Sequence, residues 1–122
     1  MLEYRFYNAN PLGKRENDCV CRAISRATGE EYYTVEHKLE LIAELFGCDK
    51  LVMCCYNHLL TNVYGFPQRF ANDMTVAELG EKLRPKKLLI RTDGHLTFVD
   101  NGVLYDTFDC RRYRADVYWI VQ

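Results

Sequence analysis

Apolar residues recur at helical spacing in two early stretches of the chain. Over residues 17–29, Ala23, Ile24 and Ala27 share one face, Asn17 or Asp18 stands where an N-cap belongs, and Gly29 is placed to end the helix. Over residues 31–46, Tyr32, Val35, Leu39, Ile42, Ala43 and Phe46 form a second stripe, with Gly47 as the stop. His37 falls among Glu36, Lys38 and Glu40, on the polar side of that helix. Ahead of both helices, Tyr4 and Phe6 alternate with polar residues as in an edge strand or docking arm, and residues 8–14 read as a turn.

The pattern weakens between residues 48 and 72. Residues 51–55 are a short apolar run that fits a strand or a buried helix. Leu59, Leu60 and Val63 put a stripe on a helix over 56–64, and residues 66–70 read as a loop. Thr75-Val76-Ala77-Glu78 is a capping box, opening a short helix that Pro85 stops. The period then changes to two, predicting an antiparallel meander of strands over 87–92, 95–99, 103–108 and 117–121.

Asn101-Gly102 sets the register of that meander, because both residues tolerate the positive φ of a two-residue type I′ turn. Asp100 then faces Val103, Thr97 faces Asp106 and His95 faces Phe108. His95 and Asp106 become diagonal neighbours on one face, with backbones about 7–8 Å apart. Side-chain alternation sends Asp109 to the opposite face, a placement that a bulge would reverse.

With 122 residues, 48% hydrophobic and 27% charged, the chain suffices for one globular domain over 1–122 but not two. A formal charge of −1 offers no general attraction to nucleic acid, and the Arg111-Arg112-x-Arg114 cluster reads as a solvated loop. No apolar run reaches the roughly 20 residues of a membrane span. Residues 1–7 lack the pattern of a secretion signal, so a cytoplasmic location is expected. The six cysteines are expected as free thiols, since a core of this size needs no staples. They form no C-x-x-C pair; Cys54 and Cys55 with His58 are the one ligand-like spacing, and neither metal nor cofactor is expected.

The chemistry centres on Cys19. At a helix start, unpaired N–H groups and the positive end of the macrodipole stabilise a thiolate, lowering the thiol from its free value of about 8.5. His95 on a later strand is a candidate general base, and Asp106 beside it is the carboxylate that orients the imidazole. Such a set suits thiol-based acyl transfer. The Cys19 N–H and the Asn17 side-chain amide are the candidate oxyanion donors. Cys21 points away from Cys19 on the helix and belongs to the core.

Several local motifs coincide with these residues: Asn10-Pro11-x-Gly13-Lys14, Asp18-Cys19-Val20-x-Arg22-Ala23-Ile24 followed by Ala27-Thr28-Gly29, Gly94-His95-Leu96-Thr97, Asn101-Gly102 and Tyr105-Asp106-Thr107. In them the chain resembles the papain-like cysteine peptidases. It looks closest to their small bacterial and phage-encoded branch, near the peptidase domains that process bacteriocin leaders. The resemblance implies an α+β fold with a nucleophile helix packed on a C-terminal antiparallel sheet, Cys19 as nucleophile, His95 as general base and Asp106 as orienting carboxylate. Those peptidases usually carry a glutamine about six residues before the cysteine; Gly13 stands there in this chain, and no glutamine precedes Cys19.

The expected activity is cleavage of a peptide or isopeptide amide in a protein or peptide substrate. The same triad would serve an acyltransferase, deamidase or transglutaminase-like enzyme, and a catalytically silent domain of this fold would bind a partner protein instead. Loops over residues 8–16 and 48–72 are where specificity is expected.

Overall fold

Two tight turns organise the sheet of this protein. A computed structural model describes residues 1–14 and 18–122. In chain order these residues form β1 (Glu3–Phe6), α1 (Cys19–Thr28), α2 (Tyr32–Phe46), α3 (Met53–Asn57) running into a π-helical stretch (His58–Val63), β2 (Gln68–Phe70), α4 (Val76–Lys82), β3 (Lys87–Thr92), β4 (His95–Asp100), β5 (Val103–Asp106) and β6 (Val117–Val121). Asn101 and Gly102 both have positive φ, 47° and 79°, and hold Asp100 opposite Val103, as their residue types predict. Asp93 and Gly94 repeat the device at φ 48° and 72°, pairing Thr92 with His95.

The class is α+β, and the sheet is mixed. Its order is β1-β5-β4-β3-β6-β2, with β1 parallel to β5 and the other pairs antiparallel. The predicted four-strand antiparallel meander is therefore corrected at its last step. β5 stops at Asp106 rather than reaching 108, and β6 pairs with β3, not β5. Only a short hairpin forces consecutive strands to be neighbours. The segment from Thr107 to Asp116 is too long for that, and it is tied instead to α4 through Val76 N–H to the Tyr113 carbonyl and Ala77 N–H to the Arg111 carbonyl. That leaves the outer edge of β5 open to β1.

Strand alternation divides the core in two. Leu89, Leu96, Phe98, Val117 and Trp119 face α1, α2 and α3, whereas Leu88, Ile90, Val99 and Leu104 face α4 and the 107–116 segment. The helix over 17–29 forms as Cys19–Thr28, and Gly29 closes it in the left-handed conformation at φ 77°. The capping box of α4 is complete, Thr75 Oγ1 accepting from the Glu78 N–H and Glu78 from the Thr75 N–H.

Three other expectations are corrected. Residues 66–70 include β2, an edge strand on β6. Phe46 does not join the buried stripe of α2; as the last helical residue it lies beyond the core, 61% exposed, with its ring against His58. The helix over 56–64 is α3 continuing into wider π winding, marked by the Tyr64 N–H bonding to the Leu59 carbonyl. Leu59 and Leu60 remain buried while Val63 turns out. Among the described residues, no helix is long and apolar enough to cross a membrane.

Candidate active site

α1 delivers Cys19 to the end of the sheet where β4 begins. Asp18 occupies the N-cap position, but its carboxylate caps nothing. It accepts instead from Arg22 Nε at 2.6 Å, Tyr32 Oη at 2.7 Å and Asn10 Nδ2 at 3.0 Å, all within the protein. A buried carboxylate gains more from a guanidinium and two fixed donors than from one helix amide. Asn17, the other cap candidate and the expected oxyanion side chain, lies outside the described residues.

His95 and Asp106 meet as the hairpin register requires. His95 Nε2 lies 2.6 Å from Asp106 Oδ2, which also accepts from Thr97 Oγ1 at 2.6 Å. Asp106 Oδ1 accepts from the Thr107 N–H at 2.6 Å and from an Arg22 Nη at 3.2 Å. The carboxylate is thus held on both oxygens. With Nε2 taken by Asp106, Nδ1 is the ring nitrogen left to exchange a proton with the neighbouring Cys19, whose thiol both His95 and the Leu96 backbone influence. Phe108 covers the imidazole, its ring centroid 4.6 Å away. Asp109 is exposed on the other side, paired with Arg111 at 2.8 Å.

The electrostatics of the cysteines diverge. Burial opposes ionisation of Cys19, but the influence of His95 and the Leu96 backbone and the charges of His95 and Arg22 outweigh it and hold the thiol below its ordinary value. Burial likewise opposes protonation of His95, yet its bonds to Asp106 and Cys19 and their charges raise it to about 9. Asp106 is held below the usual carboxylate range: burial is overcome by His95, Thr97 and the Thr107 amide. These directions shift the pair toward a thiolate beside an imidazolium. Burial pushes the thiols of Cys21, Cys55 and Cys110 up to about 12.

His95, Asp106 and Cys110 also form the one group of metal-type ligands among the described residues, their donor atoms within 4.8 Å of one another. The donor set does not fit a cation. Both Asp106 oxygens already accept from protein donors, a guanidinium touches the carboxylate, and Cys110 is kept protonated by burial. Cys54, Cys55 and His58 do not assemble either: Cys55 Sγ donates to the Leu39 carbonyl and His58 Nδ1 bonds Asn62.

Arg22, Thr97 and Thr107 are the site residues that sequence reasoning missed. Arg22 carried a signal. It lies four residues after Asp18, on the helix face that also presents Cys19 and Ala23, and a charge there demands partners. Comparison with family models, curated proteins and solved structures found no match, so the functional reading rests on the chemistry of the site.

Proposed function

We propose that this chain is a papain-like thiol hydrolase that cleaves a peptide or isopeptide amide. The observation that carries the reading is an imidazole held through Nε2 by the buried Asp106 carboxylate and set close enough to Cys19 for each to shift the other's ionisation. The Cys19 thiolate attacks the carbonyl carbon. The Cys19 N–H, a first-turn amide that no helix carbonyl can reach, is placed to donate to the developing oxyanion. As the C–N bond breaks, His95 gives its proton to the leaving amine, and a thioester remains on Cys19. Water then loses a proton to His95 and attacks the thioester, releasing the acid and the thiolate. Asp106 keeps the imidazole oriented and stabilises its charged form throughout.

Near-stoichiometric alkylation of Cys19 by iodoacetamide at pH 7, lost in His95→Ala, is the expected result. Sluggish labelling that ignores His95 would mark a silent binding domain. With a peptide substrate, a product acid supports hydrolysis, whereas an added amine found in the product would make the enzyme a transferase.

A further inference from the structure

Arg26 stands out among the cations of this protein. Among the described residues it has neither a carboxylate partner nor a hydrogen bond, although it is half-buried. Its guanidinium is stacked instead on aromatic rings, 4.6 Å from the Tyr105 centroid, 5.4 Å from Tyr7 and 5.6 Å from Phe98. Stacking uses the faces of a guanidinium and leaves its N–H edge free to donate. Arg22, one turn earlier on the same face, is by contrast spent on Asp18 and Asp106.

The position of Arg26 gives that free edge a purpose. Arg26 and Tyr7 line both a small cavity that reaches Cys19 and an open cavity that continues to Ser25 and Gly29. The two cavities share these two residues and follow one another along α1, the first of them reaching the nucleophile. Seven residues separate Cys19 from Arg26, about 10 Å along the helix axis, and helical side chains lean back toward the N-terminus. A group one or two residues from the reacting carbonyl would therefore come within reach of the guanidinium. The anion already present in the outer cavity, Glu30, is occupied by Lys38 at 2.5 Å and by the Tyr64 hydroxyl.

Building on the thiol hydrolase reading, we infer that the substrate carries a carboxylate close to the scissile amide and that Arg26, braced by Tyr7 and Tyr105, binds it. The substrate class is thus an acidic peptide, recognised by a charge-assisted hydrogen bond to a half-buried guanidinium.

Two pairs of alkylating peptides test this: iodoacetyl-Glu-amide against iodoacetyl-Gln-amide, and the same pair with one glycine spacer. In each, attack of the Cys19 sulfur on the iodoacetyl carbon expels iodide, and the pair differs only in charge. The acidic member of at least one pair should react about tenfold faster or more, the range of a hydrogen bond to a charged group. That ratio should fall to about one in Arg26→Gln and invert in Arg26→Glu, with His95-dependent iodoacetamide labelling reporting that each variant folds. A wild-type ratio near one in both pairs would overturn the inference, as would a ratio that survives Arg26→Gln. If Arg26 were only a counter-charge for the Asp18 and Asp106 network, its loss would change both members of a pair equally. His95-dependent labelling without acid preference would sink the inference alone; labelling indifferent to His95 would sink the hydrolase reading with it.

Discussion

Cys19 and Cys55 sit in the same helical layer, and their thiols are pushed in opposite directions. At the mouth of α1, Cys19 is partly covered yet poised to ionise. At the junction of α2 and α3, Cys48, Cys54 and Cys55 lie together and interact with one another. There, burial and the neighbouring thiols push Cys55 to about 12. Shelter alone makes a cysteine inert; a sheltered cysteine becomes a nucleophile only where a proton acceptor and a backbone donor are built in beside it.

The sharpest way to break this contrast is to measure it. At pH 7 a thiol with a pKa of about 12 is ionised in about one molecule in 10⁵, so Cys19 should be alkylated at least about 10³-fold faster than Cys21, Cys55 or Cys110. Peptide mapping after brief iodoacetamide treatment reads this directly; equal labelling would erase the distinction.

Removing the carboxylate behind the imidazole is the next largest effect. Asp106→Leu strands Arg22 and His95 in a buried setting, and urea denaturation should show a loss of about 3–5 kcal/mol. Asp106→Asn keeps an acceptor for the imidazole, so it should cost less and slow rather than abolish His95-dependent labelling. A loss below about 1 kcal/mol for Asp106→Leu would mean that the network is not cohesive.

The pH dependence has a definite sign on each limb. His95 is raised from 6.5 to about 9, so its ion pair contributes fully below 6.5 and is lost as pH climbs through about 9; hydrolysis should fall on the same alkaline limb as the leaving amine loses its proton donor. Asp18 and Asp106 are held below their ordinary 3.8, so their contribution is full above that value and disappears as acid titrates the folded form. A rate that keeps climbing beyond pH 10 would contradict the imidazolium role.

The smallest effect separates structure from reactivity. Thr75→Ala removes the cap of α4, which packs in the other half of the core from Cys19 and Cys55, and should cost about 1 kcal/mol in thermal or urea unfolding with no change in Cys19 labelling.

Much of this architecture was legible because short-range chemistry dictated it. Asn101-Gly102 sets a register, the register puts His95 and Asp106 on one face, and Gly29 ends the helix that presents Cys19. Legibility failed where the decision was made at a distance. Nothing local to residues 117–121 says that they pair with β3, because the preceding loop constrains them to no particular neighbour. Nothing local to Gln68 to Phe70 says that an edge is waiting for it. Arg22 and Arg26 look alike in sequence, and only the fold makes one a structural bridge and leaves the other unspent.

The order of the parts along the chain has a consequence for synthesis. His95 follows Cys19 by 76 residues, so at about 5–20 residues per second the sulfur leaves the ribosome several seconds before the imidazole. Asp106 and the rest of β5, the strand that β1 pairs with, come later still. On the proposed hydrolase reading a nascent chain carries an ordinary thiol, and reactivity would be switched on only when the last third of the protein has been made and has closed over the first.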